Sequence, residues 1–288
     1  MNTKNAILYF AIATVAIRTA TAQIQVLAVT DSATFTPGLP YYGSLASVFC
    51  TGLTGIDGIQ SAKQYPLPYE IAGVSVTVSG TGAPLLAVVD FGTYQQINIQ
   101  VPGFQAPQII EVAQFGQTGQ MQWQFPAMWG VFFTDASGYA IVQHADYSLV
   151  TLDHPAQPGE VLIAYGTNLA PFVDVINAPK IGFPAQAAPL PSLPTSVSYP
   201  GFNAVLQIAV NGKVASLSYL GLTPGSVGVF QANFQVPTDI PDGDAILNFQ
   251  GCGGSCFLGA LCGAPGFLSN CTITKTAKVS IRAAGAPQ

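Results

Sequence analysis

Short apolar stretches broken by glycine and proline run the length of the chain, and one of them is written twice. Gly43-Ser44-Leu45-Ala46-Ser47-Val48-Phe49-Cys50-Thr51-Gly52-Leu53 is echoed by Gly159-Glu160-Val161-Leu162-Ile163-Ala164-Tyr165-Gly166-Thr167-Asn168-Leu169. In each copy a glycine turn feeds a run of apolar and β-branched residues. A Thr-Gly-Leu or Thr-Asn-Leu step then closes it. Glycine or asparagine at that step predicts a bulge or a positive φ, because both tolerate a left-handed backbone.

The stretches around the two copies repeat as well. Residues 23–29, 45–49, 74–78, 85–89, 97–101 and 109–113 read as strands in the first half, and Val74-Ser75-Val76-Thr77-Val78 alternates with the period of a half-buried strand. In the second half Leu206-Gln207-Ile208-Ala209-Val210 repeats that alternation and ends in Asn211-Gly212, a strong hairpin signal. Phe230-Gln231-Ala232-Asn233-Phe234-Gln235-Val236-Pro237 answers Tyr94-Gln95-Gln96-Ile97-Asn98-Ile99-Gln100-Val101-Pro102. Two related strand sets in series predict an all-β chain of two similar sandwiches. The insertions, mainly the proline-rich 171–200 segment, read as loops. The expected division is 1–22, then 23–118, then 119–288 with a cysteine-rich insertion at 251–271. The join includes Val131-Phe132-Phe133, which reads as a strand of its own.

The first 22 residues stand apart. Lys4 supplies a positive start, residues 6–17 are apolar, and Ala20-Thr21-Ala22 is a small-residue cleavage site, which together read as a secretory signal peptide. The competing reading is a retained anchor, but the apolar run falls short of the ~20 residues a spanning helix needs. An exported protein, secreted or at the cell surface, is expected, with no membrane span in the mature chain. Without Lys4 and Arg18 the chain keeps six basic residues against thirteen acidic ones, a net charge of −7. It has no basic footprint for nucleic acid. Charged residues make up 7% of the chain, against about 25% in an ordinary soluble domain.

The motifs place the chain beside a known family. Ala72-Gly73-Val74-Ser75-Val76-Thr77-Val78, Ala83-Pro84-Leu85-Leu86, Gln96-Ile97-Asn98-Ile99-Gln100-Val101-Pro102, Pro155-Ala156-Gln157-Pro158-Gly159-Glu160-Val161, Tyr165-Gly166-Thr167-Asn168-Leu169 and Val210-Asn211-Gly212 resemble the uncharacterised C-terminal domain family of acidobacteria such as Solibacter. The resemblance covers about residues 27–283. Each half is also similar to immunoglobulin-like modules of the IPT/TIG kind. The resemblance implies two tandem immunoglobulin-like β-sandwiches and carries no catalytic residues over. Where the family's modules are usually appended to larger secreted proteins, only the signal peptide precedes this one, and the cysteine-bearing insertion is a further departure.

Three groups of residues bear on chemistry. Cys252, Cys256, Cys262 and Cys271 crowd a glycine-rich stretch. Their spacing lacks the paired C-x-x-C knuckles of zinc sites, and in an exported chain disulfides are the expectation. Of three possible pairings, the nested one (Cys252 with Cys271, Cys256 with Cys262) would staple a hairpin tip. Cys50, left over on a strand, reads as a small buried residue. His144, Asp146, Asp153 and His154 form the one cluster with acid–base composition. Asp146 matches Asp31 of the first copy, which makes a turn-closing role the expectation. Trp123, Trp129, Phe132, Phe133 and Tyr139 make the join aromatic. Buried, they are inter-domain core; exposed, Trp123, Trp129 and Tyr139 are a platform for sugar rings. Asn270-Cys271-Thr272 matches a glycosylation sequon. No catalytic, metal or cofactor motif is present. The expectation is a non-catalytic module for adhesion, scaffolding or protein interaction at the bacterial cell surface. Its partner is an unknown protein or polysaccharide of the envelope, and the alternative is a carbohydrate-binding module.

Overall fold

The computed structural model describes residues 23–103, 108–123, 130–169, 180–187, 196–199, 202–255, 271–273 and 275–283. The expected signal peptide, Trp129, Cys256, Cys262 and Asn270 lie outside them. Every regular element among the described residues is a strand. The first nine are β1 (Gln25–Asp31), β2 (Leu45–Thr51), β3 (Ile59–Ser61), β4 (Val74–Val78), β5 (Thr81–Ala83), β6 (Leu85–Asp90), β7 (Gln95–Gln100), β8 (Gln108–Gln114) and β9 (Gln117–Trp123). They form two antiparallel sheets, ordered β1-β2-β7-β6-β3 and β5-β4-β8-β9. Val48, Ile97 and Ile99 from one sheet meet Val76, Ile110 and Val112 from the other in a single buried cluster. The alternation read from Val74 to Val78 is the burial pattern of β4, whose three valines are buried and whose Ser75 and Thr77 are not.

The second half repeats the plan with β10 (Val131–Phe132), β11 (Val142–Gln143), β12 (Val161–Thr167), β13 (Ser196–Tyr199), β14 (Phe202–Val210), β15 (Lys213–Val214), β16 (Ser216–Leu222), β17 (Phe230–Gln235), β18 (Gly243–Ser255), β19 (Cys271–Ile273) and β20 (Ala277–Ile281). One sheet runs β10-β12-β17-β16, with β11 also on β12. The other runs β13-β14-β18-β19, with β15 on β14 and β20 on β18. Leu162, Phe230 and Phe234 pack against Ile208, Leu247 and Phe249 between them. The chain is thus two tandem immunoglobulin-like β-sandwiches. Asn211 and Gly212 both take positive φ (48° and 76°) in the β14–β15 hairpin, as the Asn-Gly signal requires.

The repeated stretch is the centre of each half. β2 lies between β1 and β7, and β12 between β10 and β17. The closing steps have the expected left-handed backbone, with φ of 90° at Gly52 and 64° at Asn168. Two expectations about the join change. The boundary expected between residues 118 and 119 cuts β9, which pairs along its length with β8, so the first sandwich extends to Trp123. The aromatic join is not one inter-domain core, because Trp123 ends β9 while Phe132 stacks on Phe249 at 4.1 Å within the second core. The 171–200 segment is also not wholly loop, since it contains β13.

What joins the sandwiches is a buried polar seam in which the two copies meet. Asn168 Oδ1 accepts from the Tyr41 amide at 2.8 Å. Thr167 Oγ1 accepts from the Leu45 amide at 3.0 Å and donates to the Gly228 carbonyl. Gln100 Oε1 accepts from the Gly182 amide at 2.7 Å, while its Nε2 donates to the Gly43 carbonyl. The Leu67 amide donates to the Gly182 carbonyl. Gln100, Thr167 and Asn168 are fully buried, so each bond satisfies a group that would otherwise be stranded away from water. A Cβ at Gly228 would lie 2.7 Å from Leu45 Cδ2 and 2.9 Å from the Gly43 carbonyl oxygen. Only glycine lets the halves approach this closely.

Candidate functional site

The structure brings three residues of the acid–base cluster region together. His144 Nδ1 lies 2.6 Å from Glu160 Oε1, and its Nε2 lies 3.3 Å from the His154 carbonyl oxygen. The rings of His144 and His154 stack at 4.1 Å. Glu160 Oε2 accepts from the Gln157 amide at 2.8 Å. These residues line an open cleft of about 470 Å³ with Pro155, Pro158 and Gly159. Glu160 opens the second copy of the repeated stretch but has Ser44 at its place in the first, so the repeat gave no signal for it. Both nitrogens of His144 and both oxygens of Glu160 are engaged within the protein. The cluster ties His144, His154 and Glu160 together on the loop beside β12. Asp146 stands aside, accepting from the Ser148 amide and hydroxyl. Those bonds, and then the histidines, hold its carboxyl below the usual aspartate range. It closes a turn, as expected. Asp153 is exposed and takes no part in these bonds. Among the described residues no three His, Cys, Asp or Glu side chains are placed to hold a metal ion.

Of the expected aromatic platform, Trp123 and Tyr139 lie among the described residues. Trp123 is half-buried at the end of β9, with its indole N–H enclosed and unpartnered. Tyr139 belongs to the second sandwich, where its hydroxyl donates to both oxygens of Asp244 at 2.9 Å. That hydrogen bond, ahead of burial and the charges of Asp244 and Asp135, raises its phenol above the ordinary value. Cys50 is buried in the first core, and burial pushes its thiol up to about 12. It is a packing residue. In the cysteine-rich tip the backbone sets Cys252 of β18 directly opposite Cys271 of β19.

A different aromatic group is assembled on the outer face of the first sandwich. On β2, Ala46, Val48 and Cys50 point into the core, so Ser47 and Phe49 point out. Phe49 sits between Phe35 (ring centroids 6.2 Å apart) and Tyr94 (5.9 Å), and Tyr94 stacks on Phe91 at 5.1 Å. Phe35 and Phe91, at the ends of this row, are 54% and 53% exposed. Beside it runs a polar ladder: Ser32 Oγ and Ser47 Oγ are 3.0 Å apart, Ser47 Oγ donates to Asn98 Oδ1, and Gln96 Nε2 donates to Asn98 Oδ1 at 2.7 Å. Sequence reasoning missed this group because its rings come from three separate segments. The usable signal was Phe49, the one aromatic in the alternating positions of β2.

Phe35 is held there by force. Its φ is 54°, a left-handed conformation costly for a bulky residue. The buried carboxylate of Asp31 fixes it. Oδ1 accepts from the amides of Ala33 and Thr34, and Oδ2 from the Thr34 hydroxyl and the Thr36 amide. The Phe35 amide donates to the Asp31 carbonyl.

No family model and no curated protein matches the chain. Among solved structures, SGBP-B of a Bacteroides ovatus mixed-linkage glucan utilization locus, in complex with a mixed-linkage heptasaccharide, aligns over 98% of this chain and 71% of its own at 8% identity and a TM-score of 0.31. The tandem Ig repeats of Dlar align over 91% of this chain and 99% of their own at 9% identity and a TM-score of 0.20.

Proposed function

We propose that the chain is an exported, non-catalytic interaction module that meets its partner at the cell surface through the outer face of β1, β2 and β7. The observation that carries this reading is the row Phe35–Phe49–Tyr94–Phe91, whose ends stand exposed. A soluble protein gains nothing in stability by leaving large rings in water, and an exposed aromatic cluster on a rigid support is the usual mark of a contact surface. The expected nested disulfides, Cys252 with Cys271 and Cys256 with Cys262, belong to this exported form. The test is cosedimentation of the purified chain with envelopes of the producing cells. Binding that falls on the order of tenfold in Phe35→Ala and Phe91→Ala, with melting unchanged, is the expected result. Binding equal to wild type in both variants would remove this face from the account.

A further inference from the structure

The first sandwich's outer face has a counterpart in the second, built from the same parts in the same register. Phe49 on β2 is the cross-strand partner of Gln96 on β7, and Ser47 of Asn98. Tyr165 on β12 is the cross-strand partner of Gln231 on β17, and Ile163 of Asn233. In both halves the amides are locked alike: Gln96 Nε2 donates to Asn98 Oδ1 at 2.7 Å, and Gln231 Nε2 to Asn233 Oδ1 at 2.9 Å. Each lock leaves a Gln Oε1 acceptor and Asn Nδ2 donors without a partner among the described residues, on half-buried side chains beside an aromatic ring. Directly opposite residues of neighbouring strands share a face, so ring and amides form one surface.

The turn next to each ring also carries a strained aromatic. Phe35 and Tyr147 both hold positive φ (54° and 67°), and both follow the aspartate of their half, Asp31 or Asp146. Tyr147 is 68% exposed. Gln143 fastens it to Tyr165, donating to the Tyr147 carbonyl while accepting from the Tyr165 hydroxyl at 2.7 Å. The two positions differ, four residues after Asp31 and one after Asp146, yet each half holds a positive-φ aromatic close to the ring of its central strand, and strain held in this way marks a displayed feature. Packing alone would not require it, since both rings are turned to solvent.

We propose that each sandwich carries one binding site for a neutral, extended β-linked polysaccharide, formed by an aromatic of the central strand, the strained aromatic of the adjacent turn, and the Gln-x-Asn amide pair. This rests on the module reading above and names its partner's chemistry. The flat faces of β-linked hexose rings carry C–H groups that stack on aromatic rings, while their equatorial hydroxyls meet amide donors and acceptors in the ring plane. A protein partner would need no repeated donor–acceptor pair. The charges nearest the two sites are each bonded to the protein: Asp31 within its turn, Asp90 by Gly92 and Gln95, Lys275 to Thr34 and Thr36, and Asp146 by Ser148. Recognition groups that are neutral amides and rings, on a chain of net negative charge, favour a neutral polymer over an anionic one. The rings are tilted by 58° and 57° about Phe49 and do not lie in one plane. They fit a single twisting chain better than a flat crystalline surface.

Affinity electrophoresis of the full chain tests this, in gels containing soluble glucomannan, hydroxyethylcellulose or polygalacturonate. The expected result is retardation by the two neutral β-1,4 polymers and none by the anionic one. Phe49→Ala, Tyr165→Ala, Gln96→Leu and Gln231→Leu should each weaken retardation, and the Phe49→Ala, Tyr165→Ala pair should reduce affinity by about a hundredfold or more. The leucine variants keep the strand and its packing while removing the amide, so they separate sugar recognition from simple loss of fold. Absence of retardation in both neutral polymers overturns the ligand class. If envelope binding sensitive to Phe35→Ala persists in that case, the module reading stands with a protein partner. If envelope binding is also absent, both readings fall. Retardation unchanged in all four variants would overturn the sites.

Discussion

Phe35 sets two physical effects against each other at one residue. Its left-handed backbone costs about 1–3 kcal/mol, and its ring contact with Phe49 returns about 0.5–1.5 kcal/mol. A residue kept only for stability would not be a phenylalanine here. Phe35→Gly is therefore expected to leave unfolding free energy within about 1 kcal/mol of wild type while binding to envelopes is lost. Urea denaturation beside cosedimentation checks it, and a large destabilisation would return Phe35 to an ordinary structural role. The sequence showed Asp31 and Asp146 as turn-closing residues, because aspartate bonds its own following amides. It did not show what Asp31 holds, since the left-handed conformation of a phenylalanine is imposed by bonds reaching to Thr36 and is invisible in local propensity. Glu160 was missed for a similar reason: its partner His144 is sixteen residues away in sequence and meets it only through folding.

Among the elements, the strands with clear alternation were legible and those without it were not. β4 was read from its valines, and β2 and β12 from their repetition. β9 was missed because its one buried position is Gly119. A Cβ there would lie 2.3 Å from the Ile24 carbonyl oxygen, so the strand closes on the sandwich through the absence of a side chain. Hydropathy registers nothing in such a strand, and the domain boundary slipped with it. The cysteine-rich tip could be read only as three open pairings. The register of β18 on β19 sets Cys252 opposite Cys271, which agrees with the outer link of the nested pairing. Peptide mapping of the exported protein without reduction is expected to find Cys252 linked to Cys271. A Cys252–Cys256 or Cys252–Cys262 link would show that the tip is closed in another way.

At the scale of the molecule, the repeat does more than supply two similar halves. The end of its second copy, Thr167 and Asn168, bonds to the beginning of its first, Tyr41 to Leu45, and Gln100 and Gly182 extend the seam. Tandem sandwiches on a loose linker would move independently; these are joined by buried hydrogen bonds that also fix how their two aromatic faces are presented. The sequence revealed the copies but not that they touch, because contact between repeats depends on the loops that follow them. The most direct measurement is equilibrium unfolding in urea, followed by tryptophan fluorescence and by circular dichroism. The wild-type chain is expected to unfold in one coincident transition. Asn168→Ala removes the bond from the Tyr41 amide across the seam and should lose about 1–3 kcal/mol of stability, and Gly228→Leu should split the transition in two. Two separate transitions in the wild-type chain would contradict the account, because the sandwiches would then be independent and their faces free to turn apart.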